Sequence, residues 1–491
     1  MDTVIEAIYF NSRKYGNKLC CADEYESMGY FEFYENISKA ASFLKYKGVK
    51  SGAVVLICGF KTVNFMIAFY AVQSLGAIAC PVKKNISEKQ VVELCDQMNT
   101  SWCLGKKKAG FSSLDMLDFD EMRHWNGHMD SEWFLYCYNS PTQISNIIFT
   151  TGTTGESKGI EISHRADMAI AENIITGVKM VSEDVELITT PFNHSLTIRR
   201  MSALLVKGAS VVLTDSYMFP NIFFGLMDQY HVTAVTFVPA ILKIVLMSFG
   251  ERLADYNKVL NYIQLGSAPL LEEEKQELIK LLPNVRLYNM YGSTESGCST
   301  IFEFSKYQGK KGCIGHPTAN TRIFFVDESG NQKESNCKEN AGRMVFCGKM
   351  NMSGYYNAPG LTEQVLKNGA IYSNDIGYMG ADGFVYFIGR IDDIINMGGV
   401  KINPLEVEEA ALMYSGVKDC MCAPEPDDMA GELPVLYVVK EETYKISDQK
   451  LRKFLCTKLD PEIVPKKVVF TEQIPRTFNG KIVRRINTLN D

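Results

Sequence analysis

Short apolar runs alternate with longer, helix-length segments in the N-terminal part of the chain. Residues 53–58 form one such run, residues 64–75 have helix length and are mostly apolar, and residues 77–82 form the next run. Short runs that are apolar throughout are typical of strands buried on both faces. The order strand, helix, strand therefore predicts a βαβ unit within a parallel sheet.

The same alternation continues further along the chain. Strands are predicted at residues 210–213, 234–238 and 262–265, and a helix is predicted over residues 272–282. Gly, Asn and Asp turns then become more frequent. Short runs at residues 322–326 and elsewhere in this turn-rich part, such as 384–388, predict antiparallel strands.

The C-terminal segment changes character again. Helices are predicted over residues 405–414 and 448–459, with a strand at 435–440 between them. We expect an α/β protein with a large N-terminal domain, residues 1–391, made of parallel βαβ subdomains plus a β-rich subdomain. A small α+β C-terminal domain would occupy residues 392–491.

The composition excludes several classes of protein. The 491 residues are 46% hydrophobic and 22% charged, as in a globular protein with more than one structural unit. The net charge of −6 argues against a nucleic-acid partner, because such partners bind a basic face. We also expect no transmembrane segment and no signal peptide, since no apolar run is long enough and the first residues lack the basic-then-apolar layout.

The 14 cysteines include no C-x-x-C pair, and the six histidines form no set with metal-ligand spacing. Reduced thiols in a cytoplasmic protein are the simplest expectation.

One stretch carries unusual chemistry. Residues 149–164 read FTTGTTGESKGIEISH and follow an apolar run. Glycine allows close approach of the backbone, threonine and backbone N–H groups donate hydrogen bonds, and lysine adds a positive charge. Two interpretations remain at this point: a turn between a strand and a helix, or a loop that wraps around a polyanion.

Further polar segments follow in a fixed order, and each alone would be an ordinary turn or loop. They are TPFNHS at 190–195, GSAPL at 266–270, YNMYGSTE at 288–295, SND at 373–375, GRIDD at 389–393, GGVKI at 398–402 and PRTFNGK at 475–481.

With these segments, the chain resembles the adenylate-forming superfamily of acyl-CoA synthetases, luciferases and peptide-synthetase adenylation domains, and most of all a stand-alone acyl-CoA synthetase. The loop at 149–164 lacks the Gly-Lys-Ser/Thr ending of a P-loop, which disfavours a P-loop ATPase. The resemblance implies ATP, Mg²⁺ and CoA as cofactors and a mobile C-terminal domain. It also implies two steps, in which a carboxylic acid becomes an acyl-adenylate and then a CoA thioester.

The resemblance assigns the nucleotide contacts residue by residue. It implies that the 150–158 loop holds the β- and γ-phosphates, that Tyr291 offers a face to adenine and that Asp375 binds the ribose. The full set of implied ATP and AMP contacts is Thr150, Thr151, Gly152, Thr153, Thr154, Gly155, Lys158, Gly266, Ser267, Ala268, Asn289, Tyr291, Gly292, Asp375 and Arg390.

The resemblance also assigns the reacting groups. Lys481, Thr294, Glu295 and His194 are the implied catalytic residues, and Glu295 is the implied Mg²⁺ ligand. Asp392 is the implied hinge residue. Gly399 is implied to line the tunnel for the thiol, where a side chain would narrow the passage. Asn374 departs from the family's usual glycine, and asparagine tolerates a left-handed backbone better than most residues.

The acid is expected to lack an α-amino group. Asn193, His194 and Ser267 are the implied acyl-pocket residues, and either Asn193 or Ser195 takes the place of the aspartate that pairs with an α-ammonium. Because an unpaired buried ammonium is costly, we expect a fatty or aryl acid.

Alternatives remain for the neighbouring residues and for the acceptor. Arg199 and Arg200 would bind a second carboxylate or, as we favour, have a solvated or structural role. CoA is the expected acceptor. The competing hypotheses are an adenylating ligase that stops at the acyl-adenylate or loads a carrier protein, an amino-acid-activating enzyme and a non-catalytic nucleotide sensor.

Overall fold

A computed structural model describes residues 1–59, 61–106, 116–127, 140–151, 157–268, 270–441, 443–477 and 481–484. Backbone contacts divide the chain into two units. Met1–Ile323 and Phe346–Ile371 form the first unit, and Phe324–Val345 and Tyr372–Asp491 form the second.

The larger sheet of the first unit is built around parallel strands. In spatial order its strands are β2 (Ser27–Gly29), β1 (Leu19–Ala22), β10 (Ser210–Leu213), β9 (Val185–Ile188), β11 (Ala234–Phe237), β12 (Tyr262–Gly266), β13 (Arg286–Tyr291), β14 (Thr300–Glu303) and β15 (Cys313–Pro317). The strands from β1 to β13 in this order are parallel, and β2, β14 and β15 pair antiparallel. Strands β10, β11 and β12 are buried along their whole length, as their mostly apolar sequences predict.

The smaller sheet of the first unit carries the Thr/Gly-rich stretch. In spatial order its strands are β19 (Gly354–Tyr355), β8 (Ser157–Ser163), β7 (Ile144–Thr151), β4 (Ile78–Val82), β3 (Val54–Cys58), β5 (Cys103–Gly105) and β6 (Leu117–Asp118). Strands β3 and β4 pair in parallel, which confirms the βαβ unit predicted from residues 53–82.

The helices of the first unit follow the strands in alternation. They are α1 (Val4–Tyr15), α2 (Tyr30–Lys47), α3 (Val63–Ser74), α4 (Glu88–Gln97), α5 (Phe119–His124), α6 (His164–Gly177), α7 (Ser195–Lys207), α8 (Pro220–Gln229), α9 (Pro239–Ala254), α10 (Glu272–Leu281) and α11 (Pro359–Val365). Helix α7 illustrates how the sequence sets the bounds. The His194 side chain caps its first turn, and Gly208 ends it with a left-handed φ of 80°.

The second unit combines a β-rich segment with an α+β segment. The β-rich segment, through which the unit boundary passes, contains β16 (Arg322–Val326), β17 (Gln332–Lys333), β18 (Gly342–Cys347), β20 (Leu366–Lys367), β21 (Ala370–Met379) and β22 (Val385–Arg390). The α+β segment contains β23 (Ile395–Met397), β24 (Val400–Ile402), α12 (Pro404–Leu412), β25 (Val417–Asp427), β26 (Gly431–Lys440), α13 (Asp448–Leu455) and β27 (Lys467–Phe470). The apolar faces of α12 and α13 pack with β25 and β26 in one core.

These elements confirm the predicted α/β class. Helix α13 is shorter than the predicted 448–459 and ends at Leu455. The Thr457 hydroxyl donates to the carbonyl of Phe454 at 2.7 Å, a local bond that competes with continued helix. The second unit contains most of the β-rich segment together with the C-terminal segment, and it has no boundary at residue 392. The predicted domain boundary at residue 392 therefore stays a prediction. In the described parts of the chain, no helix is long and apolar enough to cross a membrane.

Candidate active site

The Thr/Gly-rich stretch lies between two strands, not between a strand and a helix. Strands β7 and β8 pair antiparallel, with Thr150 opposite Lys158 and Thr151 opposite Ser157. Four of the residues predicted to hold phosphate, Gly152, Thr153, Thr154 and Gly155, lie outside the described residues. The hairpin therefore brings Thr150 and Lys158 side by side at the base of the predicted phosphate loop.

Tyr355 connects Lys158 with Glu295. The Nζ atom of Lys158 lies 5.9 Å from the centre of the Tyr355 ring, and the Tyr355 hydroxyl donates to Oε1 of Glu295 at 2.9 Å. Burial, and next the Glu295 carboxylate, raise the pKa of Tyr355 well above its ordinary value. The phenol therefore keeps its proton and remains a hydrogen-bond donor to Glu295.

The sequence interpretation missed Tyr355. It lies on β19 opposite Ile160 of β8, so the sheet register brings it beside the hairpin formed by β7 and β8. In the sequence it is one of two consecutive tyrosines in an ordinary turn-like segment. No spacing rule marks it, because the register of two distant strands decides its position.

The predicted pocket segment meets the predicted Mg²⁺-binding loop at Ser195. The Thr294 hydroxyl donates to Oγ of Ser195 at 3.4 Å. His194 is half-buried, and its Nδ1 accepts the N–H of Leu196 at 3.2 Å. Because Nδ1 accepts, the proton of the neutral imidazole lies on Nε2, which is therefore a donor.

Arg199 holds the loop that carries Thr294 and Glu295. Its guanidinium donates to the carbonyls of Ser293 at 2.9 Å, Thr294 at 3.0 Å and Gly297 at 3.2 Å. Burial lowers the pKa of Arg199 to about 10, which still leaves it charged at neutral pH. The structure thus favours the structural role over binding of a second carboxylate.

Arg200 is buried and paired within the fold. Its guanidinium donates to both carboxylate oxygens of Glu186, to the side-chain oxygen of Gln264 and to the hydroxyl of Tyr262. Burial lowers the pKa of Arg200, but Glu186 and Tyr262 outweigh this effect and raise it above its ordinary value. With these partners, Arg200 also has a structural role.

The predicted adenine segment lies at the carboxyl ends of β12 and β13. Gly266 pairs with Met290, which places Ser267 and Ala268 just beyond the end of β12, close to Tyr291 on the next strand. Ser267 has a left-handed φ of 77°, a strained backbone of the kind found at ligand sites. Ligands of open parallel sheets bind at this edge.

Two further residues of this segment have clear structural positions. Asn289 lies opposite Leu265 of β12. A Cβ atom on Gly292 would lie 2.0 Å from the carbonyl oxygen of Gly297, so only glycine allows this close approach. Gly292 therefore shapes the same loop that Arg199 holds.

In the second unit, Asp375 and Arg390 face each other across β21 and β22. Nε of Arg390 lies 3.6 Å from Oδ1 of Asp375. Asn374 lies in the extended strand β21, and it is not among the residues with positive φ. The left-handed backbone considered for Asn374 is therefore not needed.

The predicted hinge and tunnel residues lie on short local elements. Asp392 belongs to a 3₁₀ turn at Ile391–Asp393, and its Oδ2 lies 3.4 Å from Arg390. Gly398 and Gly399 form a two-residue turn between β23 and β24, with φ of 58° and 94°. Glycine is required there by the backbone, whether or not a tunnel passes beside it.

Lys481 lies on a small hairpin whose ends are anchored. Its carbonyl accepts from the N–H of Thr477 at 2.8 Å, and Arg476 pairs with Asp419 at 2.7 Å. Arg484 donates to Glu408 at 2.7 Å. These contacts fix the backbone on both sides of Lys481; residues 478–480 are outside the described part.

Comparison with known proteins identifies the family. The family model for the AMP-binding enzyme matches residues 9–356, and that for the AMP-binding enzyme C-terminal domain matches residues 406–481. The chain belongs to the AMP-binding enzyme family. The predicted membership in the adenylate-forming superfamily is confirmed.

The sequence similarity to relatives covers nearly the whole chain. The 4-coumarate–CoA ligase 2 of Nicotiana tabacum is 26% identical over 92% of this chain and 87% of the relative. A 2-succinylbenzoate–CoA ligase of Bacillus mycoides is 23% identical over 94% of this chain and 93% of the relative.

Solved structures share the fold. The o-succinylbenzoate CoA synthetase of Bacillus subtilis with its acyl-adenylate has a TM-score of 0.83 at 21% identity, covering 99% of this chain and 98% of that one. ATP-bound MatB from Rhodopseudomonas palustris has a TM-score of 0.87 at 19% identity, with 99% and 98% coverage.

Proposed function

We propose that this protein uses ATP to activate a carboxylic acid and then transfers the acyl group to CoA, releasing pyrophosphate and AMP. The observation that carries the proposal is the Tyr355 contact. It brings a lysine suited to phosphate and a carboxylate suited to Mg²⁺ to the same place in a fold of the AMP-binding family.

The first step requires neutralisation of charge. The carboxylate oxygen attacks the α-phosphorus of ATP, and the bond from this phosphorus to the leaving oxygen of pyrophosphate breaks. Both reactants are anionic, so fixed positive groups and donors lower the barrier more than acid–base chemistry does. Lys158, Lys481 and the Nε2 proton of His194 are the groups of this chain that would face the developing charge.

The Glu295 carboxylate fits a magnesium site. Its Oε1 is held by Tyr355, and its backbone is held at 2.8 Å by the N–H of Met352. Among the described residues, no cluster of three or more His, Cys, Asp or Glu could hold a metal alone. One carboxylate is sufficient, because Mg²⁺ binds mainly to substrate phosphates and water. When bound, Mg²⁺ would neutralise charge on the phosphates.

The second step is acyl transfer. The thiolate of CoA attacks the acyl carbon of the adenylate, and the bond to the AMP oxygen breaks. We infer that a rotation at Asp392 withdraws Lys481 and brings the turn at Gly399 towards the thiol. The anchored backbone around Lys481 supports this inference, because a rigid carrier moves the lysine as one body with its domain.

The acid is proposed to be a fatty or aryl acid. Ser195 is buried and already accepts a hydrogen bond from Thr294, and neither Ser195 nor Asn193 offers a carboxylate to an α-ammonium. The coumarate and succinylbenzoate in the names of the two relatives are also acids without an α-amino group. A carrier protein instead of CoA, or an amino acid as substrate, are the alternative proposals.

We also propose that the protein is located in the cytoplasm. Most cysteines in the described part are buried as free thiols, which suits a reducing compartment.

The test is a panel of fatty, aryl and amino acids scored by acid-dependent pyrophosphate release, with and without CoA. We expect release with a fatty or aryl acid, together with a CoA thioester and AMP when CoA is present. Pyrophosphate release without thioester would favour a ligase that stops at the acyl-adenylate or loads a carrier protein. Faster release with an amino acid would overturn the acid assignment, and no acid-dependent release would favour the nucleotide sensor.

A further inference from the structure

Asn374 joins the predicted ribose-binding strand to the predicted hinge. Its Nδ2 donates to Oδ2 of Asp392 at 2.9 Å, and its Oδ1 accepts from Arg343 at 3.3 Å. The amide is oriented by the guanidinium on one side and by the carboxylate on the other. A hydrogen bond to an ionised carboxylate is stronger than one between neutral groups.

The strand itself does not depend on the Asn374 side chain. Arg343 also donates to the carbonyls of Tyr372 and Ser373. The Ser373 hydroxyl donates to the Met344 carbonyl at 2.8 Å and accepts the N–H of Asp375 at 3.1 Å. These bonds would keep β21 in place if residue 374 lost its side chain.

Arg390 shares the same carboxylate. It lies 3.4 Å from Oδ2 of Asp392, the oxygen that Asn374 also bonds, and 3.6 Å from Asp375. Asp392 is therefore held by Asn374 and Arg390. Arg390 also lies beside Asp375, the residue proposed to bind the ribose. Among the residues that the structure describes, a glycine at position 374 would leave Asp392 with only the Arg390 contact.

We propose that Asn374 is a positioning residue that fixes the Asp392 hinge to the nucleotide-binding strand. This inference rests on the proposed function, in which the chain rotates at Asp392. Such a rotation must break the Asn374–Asp392 hydrogen bond. The two half-reactions use different hinge arrangements, so this bond stabilises one of them and sets their relative rates.

The first measurement compares the two half-reactions in Asn374→Gly. Single-turnover adenylate formation and thioester formation from supplied acyl-adenylate should change unequally, altering their ratio by about three- to tenfold, the effect of losing one typical hydrogen bond. An unchanged ratio, whether both rates stay the same or fall in parallel, would overturn the proposal.

Asn368→Gly is the matched control. Asn368 lies on an exposed turn before the same strand with a left-handed φ of 51°, where glycine is accommodated without strain. It should leave the ratio at the wild-type value. A shift of the same size in this control would show that loosening the chain anywhere near β21 is sufficient, and would overturn the role of Asn374.

Hydrogen exchange tests the hinge without any enzyme assay. The N–H of Ile394 bonds the carbonyl of Arg390 at 3.2 Å, so peptides covering 390–396 report on the hinge turn. Exchange there should be faster in Asn374→Gly than in the wild type and in Asn368→Gly. Equal exchange in all three would overturn the inference. If wild-type activity is absent but exchange differs as expected, the proposed function fails and the hinge contact stands.

Discussion

At the scale of single residues, the two consecutive arginines of α7 show how one segment serves two regions. Arg199 donates to three backbone carbonyls of the 293–297 loop, and Arg200 pairs with Glu186 within the sheet. The sequence alone could not separate these roles, because both residues are charged and adjacent. Only their different faces on α7 assign one to the loop and the other to the sheet.

Arg199→Met should slow adenylate formation by at least about tenfold and raise the KM for MgATP. Removing the guanidinium leaves three backbone carbonyls without this donor and frees the loop that carries Glu295. The bond to the Gly297 carbonyl is buried, and leaving that carbonyl unsatisfied costs about 1–3 kcal/mol. Arg199→Lys should recover part of the activity, since an ammonium can still reach a carbonyl. Single-turnover pyrophosphate release measures both effects.

Arg165→Met is the matched control, because it makes the same chemical change at an exposed position on α6. It should leave the rate of adenylate formation and the KM for MgATP at their wild-type values. Wild-type kinetics in Arg199→Met would contradict the role of Arg199 in positioning the loop.

Residue positions could be predicted where a motif fixes them locally. The motifs marked Thr294 and the pocket segment separately, and the hydrogen bond from Thr294 to Ser195 joins them; their catalytic roles stay predictions. The contacts of Tyr355 and of Asn374 could not be predicted, because each depends on which strand lies beside it.

At the scale of elements, the backbone of the turn between β23 and β24 favours glycine, and a thiol tunnel at Gly399 is a second, proposed reason for it. Both Gly398 and Gly399 have positive φ, which any larger side chain opposes. A Cβ atom on Gly399 would meet nothing within 4 Å among the described atoms. A substitution at Gly399 can therefore act through backbone strain or through blockage of the proposed thiol tunnel, and the two effects have to be separated by experiment.

Gly399→Leu should block use of CoA while sparing adenylate formation. Gly398→Leu carries a similar strain, of order 1–2 kcal/mol for a side chain in the left-handed region, but is not the predicted tunnel residue. The KM for CoA and the rate of thioester formation, measured for both variants, separate the two causes. Equal losses in both would assign the effect to the turn and remove the tunnel role from Gly399.

At the scale of the whole molecule, the fold class follows from buried strands. Residues 210–213 form β10 with the predicted bounds, because a strand covered on both faces is mostly apolar along its length. The structure around the Thr/Gly-rich stretch at 149–164 could not be predicted in the same way. Its strand–loop–strand arrangement depends on β8 pairing with β7, and its polar composition gave no apolar run to reveal the second strand.

The C-terminal segment with Lys481 is the part of the chain that we propose to move. Arg476 pairs with Asp419, and Arg484 pairs with Glu408 on α12 and lies 3.4 Å from Asp393. Lys481 is thus tied to residues beside the proposed hinge. If this segment rotates between the two half-reactions, the lysine serves only one of them.

The central claim is tested most directly by measuring both half-reactions in Lys481→Ala. Acid-dependent pyrophosphate release should fall by roughly 10²–10³, the usual cost of losing one group that stabilises charge in a transition state. Thioester formation from supplied acyl-adenylate and CoA should stay near the wild-type rate. An equal loss in both half-reactions would contradict the account, because it would make Lys481 a structural residue and leave the first step without its proposed charge.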